Sequence, residues 1–275
     1  MKKKILYVSD LDGTLLRSNQ TTSDYTNHII NSLTEEGVVF SYATARSIYS
    51  SSKVTEGLDA KIPVITYNGA FIVDNVTREV INANYLDNNV YTLLQELFSE
   101  GIYPIVYSII DGRERFSYYP EKSAKGIVEF VALRNDERKR IVHSQEELIE
   151  GNIFYITCIE APEKIKPFYE KYKELYHCVY QRDIYSGEQW LEFMSKNATK
   201  ASAIQRLKQI TKSDYVIAFG DGINDLEMFE IADESYAMEN AVPELKAIAT
   251  KVIGSNDMDG VAYWLSKMMP GAKGI

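Results

Sequence analysis

The stretch ILYVSDLDGT, Ile5 to Thr14, decides the fold. Ile5–Ser9 is apolar and β-branched with no polar alternation, which is the pattern of a strand covered on both faces. Two carboxylates, Asp10 and Asp12, close it with one leucine between them, and Gly13 and Thr14 follow. Taken alone, the pair is either the polar start of a turn or a catalytic pair at the lip of a parallel sheet. The rest of the chain separates the two.

Downstream, TTSDYTNHIINSLTEEG (21–37) predicts a helix capped at Thr22, Ser23 or Asp24 and stopped at Gly37. VVFSYAT (38–44) reads as a second buried strand and Ser47–Gly57 as a helix. PVITYNGAFIV (63–73) is a third strand running into a turn at Asn68–Gly69. Uniformly apolar strands alternating with helices indicate an α/β fold around a parallel sheet.

The rhythm changes after about Ile81. Asp87–Gly101 predicts an amphipathic helix, and two alternating runs around Asp111–Gly112 predict a hairpin. NIFYITCI (152–159), a helix over Glu163–Tyr176 and CVYQRDIY (178–185) complete an insert of α+β type with an antiparallel sheet. WLEFM (190–194) reads as the return of the first rhythm. A helix over Thr199–Ile210, the strand DYVIAFGD (214–221), a helix through Leu226–Ile231, SYAM (235–238), a helix over Pro243–Thr250, KVI (251–253) and a helix over Gly260–Met268 follow. The chain therefore divides into a core from residues 1–82 and 188–275, with an inserted domain at 83–187. The tail from Pro270 reads as frayed.

Bulk properties narrow the function classes. A formal net charge of −9 argues against general binding to the nucleic-acid backbone. Cys158 and Cys178 match no zinc spacing and no disulfide framework, so they read as buried thiols in a reducing compartment. The apolar run after the N-terminal lysines is too short for a signal peptide, and no segment has membrane-spanning length. The expected location is the cytoplasm, with no membrane partner. His28, His143 and His177 stand apart from every motif and are expected to pack or face solvent. NDERKR (135–140) reads as a solvated loop or helix end; the alternative is that some of its arginines bind a second anionic group of a substrate.

Ligands of open α/β sheets gather beyond the carboxyl ends of the strands. Asp10 and Asp221 both close buried strands, and Asp225 follows soon after. Carboxylates converging at one sheet edge repel unless a cation neutralises them, and an oxygen set of this kind suits Mg²⁺. A lone DGT is usually a turn, a lone Lys200 a surface lysine and a lone GDG a helix cap. Here they occur together and in order.

That order resembles the haloacid dehalogenase-superfamily phosphatases of the Cof-like group (subfamily IIB, with a C2-type cap). The resemblance rests on DLDGTL at Asp10–Leu15, Thr44 in YATARS, Lys200 in NATKASAIQRL and GDGINDLEMF from Gly220. TYNGA at Thr66–Ala70, YAMENAVPELKAIATKV and SNDMDGVAYWL follow the same group's pattern. It implies a Rossmann-like core with an inserted α+β cap, and Mg²⁺-dependent hydrolysis of a small phosphorylated metabolite, first among them sugar phosphates. It assigns Asp10 as nucleophile, Asp12 as acid and base, and Thr44 and Lys200 as stabilisers of the phosphoryl oxygens. Gly13, Ala45, Arg46, Asn68 and Gly69 would lie on the substrate side. Asp10, Asp12, Asp221, Asn224 and Asp225 would hold or support Mg²⁺. Ala45 and Ala201 replace glycines usual in the group; both are small and remove no chemical group. The rival readings are a phosphomutase like the phosphomannomutases, which needs a converging basic pocket in the cap, and a non-catalytic binder of phosphorylated ligands.

Overall fold

A computed structural model describes residues 3–58, 63–134, 136–182 and 187–267. The expected frayed tail lies outside these residues, as do Asn135, the end of CVYQRDIY and Met268. Two compact units emerge: Met1–Ala83 with Thr199–Ile275, and Asn84–Ala198.

The chain begins with β1 (Ile5–Asp10), α1 (Asp24–Glu35), β2 (Val39–Ala43), α2 (Ile48–Val54), β3 (Pro63–Thr66), β4 (Phe71–Asp74) and β5 (Val80–Ala83). There follow α3 (Val90–Ser99), β6 (Ile105–Ile110), β7 (Arg113–Tyr118), α4 (Lys125–Ala132), β8 (Lys139–Ile141), α5 (Gln145–Leu148), β9 (Asn152–Ile159), α6 (Pro162–Tyr172), β10 (His177–Arg182) and β11 (Gln189–Met194). The last part holds α7 (Lys200–Thr211), β12 (Tyr215–Gly220), α8 (Leu226–Ile231), β13 (Glu234–Ala237), α9 (Pro243–Ile248), β14 (Lys251–Val252) and α10 (Gly260–Ser266).

The first unit is built on the sheet β14-β13-β12-β1-β2-β3-β4-β5. Its strands run parallel from β14 to β3, and β4 and β5 then turn back antiparallel. The parallel alternation predicted from sequence therefore ends in an antiparallel edge. Every residue of β2 and all but the first of β1 are buried, because helices cover both faces of a parallel sheet. From central β1 the chain passes to β2 on one side and returns by β12 on the other, the strand-order reversal at which open α/β sheets bind ligands. Register then brings the two acidic strand ends together: Ser9 pairs with Phe219 and Asp10 with Ala43, so Asp221 and Thr44 flank Asp10.

Caps follow the sequence. Ser23 accepts from the Thr26 N–H at the start of α1, Ser47 from Ser50 at α2 and Thr199 from Ser202 at α7. Asp259, left-handed at φ 51°, accepts from Arg17, Ser23 and Thr26 and ties the start of α1 to the segment before α10.

The second unit carries the sheet β10-β11-β9-β6-β7-β8, antiparallel except for the β7–β8 pair. Here the sequence expectation fails at Trp190–Met194. That segment is β11, hydrogen-bonded to β9 and β10 rather than returned to the first sheet. An interior strand with almost every residue buried reads like a parallel core strand, so periodicity cannot say which sheet it joins. The solvated reading of 135–140 fails at Arg138, although Glu137 is exposed. Arg138 is buried and donates to Glu114 and Asp136, and Lys139–Ile141 form β8.

Candidate active site

Asp10 is buried at the end of β1, its side chain 8% exposed, which is costly for a carboxylate without partners. Its partner is Lys200, the first residue of α7. A lysine at a helix N-terminus opposes the macrodipole, so this placement needs carboxylates to hold it. The Lys200 Nζ donates to Asp10 Oδ1 at 2.6 Å and to Asp225 Oδ1 at 2.7 Å. Burial disfavours the ammonium, but Asp10 and Asp225 outweigh it and keep Lys200 charged, its pKa raised. Burial also pushes Asp10 well above the ordinary carboxylate range; Lys200 opposes this shift and Asp225 and Asp221 add to it.

Asp225 is fully buried and saturated. Its second oxygen accepts from the Asp221 and Gly222 N–H groups at 3.0 and 3.1 Å, which fixes the loop after β12. Asp221 accepts from the Thr14 hydroxyl at 2.7 Å, and burial raises it to about 6. Gly13 follows from the same crowding. Its φ is +78°, and a Cβ there would lie 2.2 Å from Asp221 Oδ2. Gly220 is similarly required, since a Cβ would meet Asp225 Oδ2 at 2.7 Å.

On the β2 side, Thr44 is fully buried. Its hydroxyl oxygen accepts from the Arg46 N–H, and its carbonyl accepts from Asn68 N–H at 2.9 Å. Tyr67, Asn68 and Gly69 are successively left-handed, at φ 50°, 52° and 103°. The turn packs so closely on Thr199 that a Cβ at Gly69 would sit 2.2 Å from its carbonyl oxygen, which locks the start of α7 and with it Lys200.

Residues 7–265 match the haloacid dehalogenase-like hydrolase family model. The chain belongs to the haloacid dehalogenase-like hydrolases. It is 29% identical to the 5-amino-6-(5-phospho-D-ribitylamino)uracil phosphatase YwtE of Bacillus subtilis, over 95% of this chain and 97% of the relative. YitU of the same organism, also a 5-amino-6-(5-phospho-D-ribitylamino)uracil phosphatase, is 28% identical over 96% of this chain and 97% of the relative. A haloacid dehalogenase-like hydrolase from Bacteroides thetaiotaomicron superposes with a TM-score of 0.79 at 25% identity, covering 97% of this chain and all of that one. With these relatives the hydrolase is an enzyme of the phosphatase kind. No helix among the described residues is long and apolar enough to cross a membrane.

Of the residues singled out in the sequence, this hydrolase brings Asp10, Lys200, Asp221, Asp225, Gly13 and Thr44 to one sheet edge. Asp12 lies beside them with a half-exposed carboxylate held by Arg46, at 2.8 and 2.6 Å. Arg46 thus serves as a partner of Asp12. Asn224 is exposed, its Oδ1 packed over Gly222. Ala45 and Ala201 take no positive φ, so the lost glycines strain nothing. The three histidines stay outside the cluster; His143 contacts Glu121 and His177 the Ala198 carbonyl. Two contributors escaped sequence reasoning. Thr14 orients Asp221, and Asn240 donates to the Gly13 carbonyl at 2.7 Å. Asn240 follows β13, another carboxyl end of the same sheet, and that position was the available signal.

The donor set fits a hard divalent cation. Asp10, Asp221 and Asp225 present carboxylate oxygens within 4.8 Å of one another. Both Asp225 oxygens are engaged by protein donors, whereas no donor among the described residues bonds Asp10 Oδ2 or Asp221 Oδ2.

Proposed function

We propose that this hydrolase is a Mg²⁺-dependent phosphatase of small phosphorylated metabolites that works through a phosphoryl group carried on Asp10. The observation behind this reading is a buried carboxylate at the strand-order reversal whose one oxygen is fixed by Lys200. The other oxygen is left to attack phosphorus. Asp10, the Asp12 main-chain carbonyl and Asp221 would hold Mg²⁺, with Asp225 positioning Asp221 and Lys200, and Asn224 at the margin. When bound, the cation supplies neutralisation of phosphate charge.

The chain's own residues do the rest. Lys200 and the Thr44 hydroxyl donate to phosphoryl oxygens as charge shifts during transfer. Gly13 lets the backbone turn so that N–H groups face the phosphate. Asp12 gives its proton to the leaving oxygen and then takes one from the water that cleaves phosphoryl-Asp10. Arg46 pairs with the Asp12 carboxylate, and the pair must part for the acid step. Ala45, Asn68 and Gly69 line the substrate side.

The 84–198 unit acts as the cap that selects the substrate. YwtE and YitU act on a phosphate ester borne by a ribityl chain, which supports phosphorylated sugars and polyols as the class here. The enzyme works in the cytoplasm on a small molecule, without nucleic acid or membrane. The test is phosphate release from p-nitrophenyl phosphate, sugar phosphates and 5-amino-6-(5-phospho-D-ribitylamino)uracil, with Mg²⁺ and with EDTA. Mg²⁺-dependent release from a sugar or ribityl phosphate is expected. Isomer interconversion without release would replace this reading with a mutase.

A further inference from the structure

Three guanidiniums that take no part in the proposed hydrolysis converge within the second unit. Arg113, Arg115, Lys139 and Arg140 line a concavity of about 670 Å³, completed by Ile110, Asp111 and Glu150. That volume lies in the range of small-molecule sites, about 300–1,000 Å³.

The register explains the convergence. Arg113 and Arg115 are two residues apart on β7 and so share a face, opposite Ile110 and Ser108 of β6. Ser117, two further on, pairs with Arg140 across the parallel β7–β8 ladder, which puts the third guanidinium on the same face. Like charges gathered this way destabilise a sheet unless something opposes them.

The opposition inside the protein is partial. Glu150 pairs with Arg140. Arg115 donates to the Glu137 carbonyl, which holds its charged head without neutralising it, whereas Lys139, paired across the ladder with Phe116, lies on the opposite face and donates to the Val131 carbonyl at 3.4 Å. Arg113 is exposed and has no partner among the described residues. On this face three guanidiniums stand against Asp111 and Glu150, which leaves one positive charge uncompensated. On the same face, the hydroxyls of Ser108 and Ser117 are buried and lack any hydrogen-bond partner.

We propose that the Asn84–Ala198 unit carries a binding site for a phosphate-class anion, made by Arg113, Arg115 and Arg140. Guanidinium forks bind phosphate oxygens in pairs. Ile110 offers apolar contact to a carbon body, and Asp111 and Glu150 accept from its hydroxyls. The site stands independently of the hydrolytic reading.

The test uses the full chain, ¹⁵N-labelled, in EDTA at constant ionic strength. Backbone amide shifts are followed while inorganic phosphate or methylphosphonate is added. Saturable shifts confined to residues 110–115 and 139–141, besides any response of the Asp10 loop, are expected. Arg113→Gln and, separately, Arg115→Gln weaken that binding about tenfold, the equivalent of one charge-assisted hydrogen bond. Both variants keep Mg²⁺-dependent hydrolysis of p-nitrophenyl phosphate, so failure of the site and failure of the hydrolytic reading are told apart. Saturation by inorganic phosphate alone identifies free phosphate as the ligand, and saturation by both probes an organic phosphate. Shifts that do not saturate, that chloride reproduces, or that survive both substitutions overturn the proposal.

Discussion

Replacing Lys200 with methionine removes the ammonium that separates two buried carboxylates. The Lys200 side chain is 2% exposed, and its partners Asp10 and Asp225 are 8% and 0% exposed. Removing one member of a buried ion pair costs about 3–5 kcal/mol, because the remaining charge is left uncompensated. With a urea dependence of about 2 kcal/mol per molar, the unfolding midpoint falls by about 2 M. The assay is urea unfolding in EDTA of proteins that also carry Trp190→Phe. Trp264 is then the remaining tryptophan, and its packing at 4.5 Å from Tyr236 and 5.3 Å from Phe219 makes it a reporter of the first unit. The pH dependence has a definite sign. Asp10 is held above its unfolded value by burial, and losing Lys200 raises it further. A carboxyl raised in the folded state costs stability as pH climbs through the folded value, and costs nothing below the unfolded one. The deficit of the variant is therefore larger at pH 8 than at pH 5. Midpoints within about 0.3 M of each other at pH 8 would refute the reasoning, as would a deficit that grows on acidification.

Glu192 tests the same linkage in the second unit, where burial raises it from 4.5 to about 7. Stability is lost as pH rises between those values, so Glu192→Gln gains about 3 kcal/mol at pH 8 and nothing at pH 4, read by urea unfolding with Trp190 as reporter. Gly13→Ala places a Cβ against Asp221 in left-handed backbone; kcat/KM is expected to fall about 100-fold, with about 1–2 kcal/mol of stability, in steady-state and unfolding assays. Asn240→Ala frees the Gly13 carbonyl and lowers kcat/KM about fivefold, the worth of one hydrogen bond, with little change in the urea midpoint.

The parts of the fold legible in the sequence are those where burial on two faces writes an uninterrupted apolar string. β1, β2 and β12 stand out for that reason, and their parallel order alone places Asp10 beside Asp221. The same signal fails at Trp190–Met194, because a string reports burial and not the partner strand. It fails again at Arg138, where charge suggested solvent and two acidic partners allowed burial. The Asp12–Arg46 pair, the Thr14 bond to Asp221 and the Asn240 clamp on Gly13 join residues from separate loops, and only the place of Asn240 at a strand's carboxyl end hints at one of them. Arg113, Arg115 and Arg140 are spread along the sequence of the second unit. Strand register gathers Arg113, Arg115 and Arg140 onto one face.

The central claim is that Asp10 itself carries the phosphoryl group. The most direct measurement is acid quench in the first turnover with p-nitrophenyl phosphate and Mg²⁺, followed by peptide mass analysis. The account predicts one added phosphoryl group on the peptide containing Asp10, appearing no later than the first phosphate released and absent from Asp10→Asn. Full turnover with that peptide unmodified at every quench time, or activity retained in Asp10→Asn, would contradict it.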